Sequence, residues 1–105
     1  MVNLKKRTWK VELPIGQSVE MTTKKLITDC VNFVGQSGLK TSEMYDRIKL
    51  LEKINSQDQI NNGEIENYQL EDAEIALLKT LNDGIQWSFV NQCFLDFAED
   101  LKNAN

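Results

Sequence analysis

Histidine does not occur in this 105-residue chain. Its absence removes the commonest general base and the commonest neutral metal ligand. Nucleophilic triads of the usual kinds are lost with it. The two cysteines, Cys30 and Cys93, lie far apart among apolar neighbours, and neither has a partner at metal-binding spacing. They are expected as reduced, buried thiols, with a disulfide between them the alternative. There is no glycine-rich phosphate loop and no dinucleotide fingerprint. The residue types therefore give no catalytic residue, metal ligand or cofactor to expect, and the chain reads as a non-enzyme.

Three acidic clusters remain. Glu71, Asp72 and Glu74 could hold a cation, but carboxylates at the start of a helix also complement its dipole, and that is the plainer reading. Asp96, Glu99 and Asp100 fall on one side of a helical segment, either as a solvated face or as a surface for a basic partner. Asp58, Glu64 and Glu66 surround a polar loop at spacings that match no calcium-binding loop.

The one segment with a nucleic-acid flavour is Lys5, Lys6, Arg7, Thr8, Trp9 and Lys10, which sets phosphate-seeking charge beside a stackable indole. The formal net charge of −4 argues against nucleic acid as the partner.

Charge is sorted along the chain. Residues 1–25 carry six basic side chains against two acidic ones, residues 26–57 cancel, and residues 58–105 carry ten acids against two bases. A basic end and an acidic end suit contact between copies, so a homo-oligomer competes with a foreign partner. No apolar run approaches the roughly 20 residues of a membrane span, and no signal peptide is evident. The expected setting is cytoplasmic, with no membrane contact.

Residues 1–6 read as a flexible basic tail, and 7–105 as a single globular domain. Trp9, Val11 and Leu13 alternate with polar residues, Pro14-Ile15-Gly16-Gln17 signals a turn, and Val19 and Met21 offer a return strand. This predicts a β-hairpin from about Thr8 to Met21. Thr22 or Thr23 caps a helix to Val34, with Gly35 as its stop. Thr41 or Ser42 caps a second, to about Asn55, whose apolar stripe is Tyr45, Ile48, Leu51 and Ile54, broadened by Met44 and Leu50. Asn61-Asn62-Gly63 is a turn, and Glu64 to Leu70 contains a short strand or an extended lead-in. A third helix follows the acidic cluster, with Ile75, Leu78 and Leu81 on its apolar face, and ends at Asn82-Asp83-Gly84.

The fourth helix is expected from Ile85 to Asn103, with Val90, Phe94, Phe97 and Leu101 facing the core. On such a helix Trp87 and Phe89 cannot both point the same way as Phe94 and Phe97. One of them is a candidate exposed anchor for an interface, and cover by the N-terminal hairpin is the plainer alternative.

The predicted fold class is α+β and mostly helical, an N-terminal β-hairpin packed on four helices. From Val11 onward this organisation resembles small accessory proteins of tailed bacteriophages. The features that carry the resemblance are Val19-Glu20-Met21-Thr22 before the first helix, Met44-Tyr45-Asp46-Arg47-Ile48-Lys49-Leu50-Leu51 in the second, Glu74-Ile75-Ala76-Leu77-Leu78-Lys79 in the third, and the aromatic last helix. The resemblance implies a viral origin and brings no catalytic residue. The expected function is a non-enzymatic inhibitor that occupies a host protein's basic surface, in an anti-defence or transcription-directed role. Asp96, Glu99 and Asp100 would steer it, and Trp87 or Phe89 would anchor it. The alternatives are a self-assembling phage structural accessory, or an oligomeric sponge that holds a small anionic metabolite through Lys5, Lys6 or Arg7.

Overall fold

The strand-turn-strand pattern near the N-terminus forms as its alternation dictates. In the computed structural model, which describes residues 1–104 (Asn61 by its backbone alone), β2 (Thr8–Glu12) pairs antiparallel with β3 (Ser18–Thr22). Trp9 stands opposite Met21 and Val11 opposite Val19. Gly16 closes the turn at a φ of 84°, a conformation that glycine adopts without a Cβ penalty. Asn105, the last residue of the expected domain, lies outside the described residues.

The first six residues are not a free tail. Val2–Lys5 is a strand, β1, paired antiparallel with β4 (Asn67–Leu70), with Leu4 opposite Tyr68 and both fully buried. The period-2 alternation is present in Val2 and Leu4, but four residues are too few to announce a strand whose partner lies more than sixty positions away. The described residues thus form two separate two-stranded sheets. Buried Thr23 joins them to the first helix: its Oγ1 accepts from the Arg7 N–H at 2.8 Å and donates to the Lys5 carbonyl at 3.2 Å.

Helix α1 (Thr23–Asn32) starts where its cap signal placed it, the Thr22 hydroxyl accepting from the Lys25 N–H. It stops two residues early. Arg47 Nη1 donates to the carbonyls of Val31 and Phe33 at 2.8 and 2.6 Å, satisfying the helix end from a neighbouring element.

Helix α2 (Thr41–Gln59) is longer than expected, and only the second half of its apolar stripe faces inward. Leu50 and Ile54 are buried, whereas Met44, Tyr45 and Ile48 stand about half exposed. Its polar last turn stays helical because β4 receives it. The Gln57 amide donates to the Gln69 carbonyl and accepts from the Gln69 N–H, at 2.8 and 2.7 Å. A 3-10 turn, Ile60–Gly63, then leads toward β4.

Helix α3 (Asp72–Gly84) begins with the Glu71 N–H donating to Glu74 Oε1 at 2.7 Å, half of a capping box built without Ser or Thr. Helix α4 runs only from Gln92 to Lys102. Asn91 is its N-cap, its side chain accepting from the Cys93 N–H at 3.0 Å. Residues 85–91 are therefore not helical, and Val90, expected in the core, is fully exposed. The fold is α+β and mostly helical, as the patterning predicted. Its core is one cluster in which Leu4, Val11, Leu26, Leu50, Leu78 and Phe97 meet.

Candidate functional site: an aromatic segment beside a neutralised charge seam

Sequence order separates the basic start from the acidic second half, and the fold brings them together. The Arg7 guanidinium meets Asp100 side-on, with Nε 2.7 Å from Oδ2 and Nη2 2.8 Å from Oδ1. Trp9 Nε1 donates to Asp96 Oδ2 at 3.1 Å, and Gln92 donates to the other oxygen at 3.2 Å. Arg7 also lies 5.9 Å from the Trp9 ring centroid. Of the acidic trio on α4, only Glu99 is left exposed.

Lys6 is committed as well. Its Nζ donates to Asp58 at 2.9 Å and to the Gly63 carbonyl at 2.7 Å. Asp58 also receives the Tyr68 hydroxyl, at 2.9 and 3.0 Å, and lies 3.5 Å from Lys24 Nζ. Partial burial pushes the Asp58 carboxyl up, but the hydrogen bonds from Lys6 and Tyr68 and the charges of Lys6 and Lys24 outweigh it and hold it below the usual carboxylate range. Burial, then the hydrogen bond and charge of Asp58, push the Tyr68 phenol up. Of the four basic side chains from Lys5 to Lys10, Lys5 and Lys10 remain exposed. That is a small footprint for a phosphate chain, and the Trp9 indole is half-buried and hydrogen-bonded rather than free to stack.

The other acidic clusters are also accounted for locally. Lys53 Nζ lies 2.6 Å from Glu74 and 3.9 Å from Glu71. Glu64 and Glu66 are exposed, and Asp58 is turned to Lys6 and Tyr68. Among the described residues, no group of three His, Cys, Asp or Glu side chains could hold a metal ion. Cys30 and Cys93 are both buried and unbonded. Burial, with Asp29 adding to it, pushes the Cys30 thiol up to about 12. Burial and Asp96 raise Cys93, partly offset by backbone hydrogen bonds.

Neither Trp87 nor Phe89 is a lone projecting anchor. Both rest on Phe94: Trp87 is stacked at 4.2 Å between centroids and 18° between planes, and Phe89 is edge-on at 5.1 Å and 64°. The helical angles that set them apart do not apply, because they sit on the non-helical connection before α4. Both are half-buried and packed against the core, and the fully exposed Val90 follows them. Sequence reasoning missed Val90. The cap signal of Asn91 ahead of Gln92 and Cys93 could have found it, since a helix starting at Gln92 leaves Val90 outside.

The arrangement supplies an aromatic platform with an exposed aliphatic tip, next to a charge seam that is largely closed. Compared with protein-family models, curated proteins and solved structures, the chain matches none. Among the described residues, no helix is long and apolar enough to cross a membrane.

Proposed function

We propose that this chain is a non-enzymatic binding protein whose contact surface is the segment 85–91 backed by Phe94. The observation that carries this reading is the pairing of a fully exposed Val90 with Trp87 and Phe89, two aromatics held against Phe94, one stacked and one edge-on. Large side chains that are already ordered lose little entropy when a partner covers them. The partner proposed is a host protein with a basic surface, in the cytoplasm of a bacterium infected by the phage from which the gene derives. There the chain would block a defence or transcription component. The net charge of −4 supports attraction to a basic surface. Steering falls to Glu99 and the other exposed carboxylates, because Asp96 and Asp100 are occupied within the chain.

Val90→Asp tests this reading without touching the core. Retention of a bacterial protein by the immobilised chain should fall at least tenfold in the variant, with unfolding unchanged. Equal retention by both forms would move the contact surface elsewhere.

A second reading, self-assembly as a structural accessory, has one observation in its favour: the exposed ridge Met44, Tyr45 and Ile48 on α2. Light scattering on Ile48→Glu against the unaltered chain separates the two readings. The anion-sponge reading loses ground, since Lys6 and Arg7 are engaged by Asp58 and Asp100.

A further inference from the structure

An antiparallel pair leaves every second residue of each strand with its backbone N–H and C=O turned away from the partner. The ladder of the hairpin fixes which residues these are. At one end the Thr23 N–H donates to the Arg7 carbonyl at 3.0 Å, and at the other the Leu13 N–H donates to the Gln17 carbonyl at 2.7 Å. With Thr8 opposite Thr22 and Glu12 opposite Ser18, the residues Arg7, Trp9, Val11 and Leu13 turn their backbone groups toward β3 and its flanks. Those of Thr8, Lys10 and Glu12 therefore turn outward. Among the described residues, β2 pairs with β3 alone, and no backbone hydrogen bond outside the hairpin reaches these three. All three are exposed. Such an edge is a template for another strand.

We propose that β2 is the interface of a homodimer, in which two copies pair antiparallel about a twofold axis through Val11. Charge selects this register. Lys10 then stands opposite Glu12 of the second copy, and Glu12 opposite its Lys10, at positions whose outward backbone groups can exchange hydrogen bonds. Both side chains are free for this. Lys10 stands opposite Glu20 within the hairpin, but among the described residues neither Lys10 nor Glu12 lies within ion-pair distance of an opposite charge. On the inner face Trp9 stands opposite Leu13 of the second copy, and both are half-buried residues packed against the core.

Other registers lack this match. A twofold axis through Lys10 or through Glu12 sets like charges against each other, and one through Trp9 puts Lys10 opposite Thr8. Strand β3 carries no cation, so no self-pairing of its edge joins opposite charges. The added ladder is short, and Pro14, without an N–H, ends it. The interface shares no residue with the segment 85–91 or with the α2 ridge, so it stands apart from both readings of function.

Sedimentation equilibrium of the full chain tests the proposal. The unaltered chain should show a monomer–dimer equilibrium with a dissociation constant on the order of 100 μM, the scale of a small interface. Lys10→Glu and Glu12→Lys change exposed side chains, and each makes both cross-pairs alike in charge. Each variant should dimerise about tenfold more weakly. An equimolar mixture of the two should recover the dimer, since the glutamates of one variant then face the lysines of the other. Recovery on mixing also shows that both variants are folded. Ile48→Glu should dimerise like the unaltered chain. A chain that stays monomeric up to about 1 mM would mean that Lys10 keeps the edge unpaired, and would overturn the proposal. Association unchanged in both charge variants, a mixture no tighter than its components, or loss of the dimer in Ile48→Glu would overturn it equally.

Discussion

Arg7 and Asp100, 93 positions apart, form a side-on ion pair that joins the start of the chain to its last helix. Removing one partner leaves the other half-buried without its counter-charge, which costs more than the pair itself contributes. Asp100 is 9% exposed and Arg7 32%, so solvent screens part of that cost. Asp100→Asn should destabilise by about 1–2 kcal/mol, read as a lower urea midpoint at unchanged slope. Arg7→Lys should cost a similar amount, because an ammonium group cannot reproduce the two parallel contacts.

Asp58 makes acid stability depend on one carboxylate. Its carboxyl is held below the ordinary value in the folded chain, so its contribution is present above the unfolded value near pH 3.9 and is lost as pH falls through the folded one. Asp58→Asn should therefore be less stable than the unaltered chain at neutral pH, and the gap should narrow below about pH 4. Thermal unfolding of both forms across that range is the measurement, and a gap that stays constant would sink the assignment.

The two halves of the α2 stripe should respond differently. Ile54 is fully buried and Ile48 is 50% exposed. Ile54→Ala should cost about 2–4 kcal/mol, while Ile48→Ala should stay within about 0.5 kcal/mol. Comparable losses at both positions would contradict the observed burial.

Phe94 holds both Trp87 and Phe89. Phe94→Ala should cost about 3–5 kcal/mol. Phe94→Leu, milder, should release the indole, read as red-shifted and quenchable Trp87 fluorescence in a Trp9→Phe background.

The thiols should be inert while the chain is folded. With Cys30 raised to about 12, roughly one molecule in ten thousand carries its thiolate at pH 8. A thiol reagent at that pH should label neither cysteine within minutes in buffer and both in urea.

The hairpin was legible because Trp9, Val11 and Leu13 alternate beside a proline-glycine turn, and α1 because Thr22 is a cap followed by a clean apolar face. Both are local patterns whose interactions lie within a few residues. Which half of the α2 stripe is buried was not legible: Met44, Tyr45 and Ile48 are as apolar as Leu50, Leu51 and Ile54, and only the neighbours of the helix choose between them. The break before α4 was written in Asn91, but the run of aromatics and Val90 carried a helical period across it.

Residue types and spacing by themselves determined an α+β, mostly helical chain without histidine chemistry, because propensity, capping and amphipathic period act over a few residues. The fold alone decided that Val2–Lys5 pairs with Asn67–Leu70, that Arg7 meets Asp100 and Lys6 meets Asp58, and that Trp87 and Phe89 share one platform on Phe94. Those contacts join residues far apart in the chain. Coulombic attraction and burial depend on distance in space, and sequence order carries no direct measure of it.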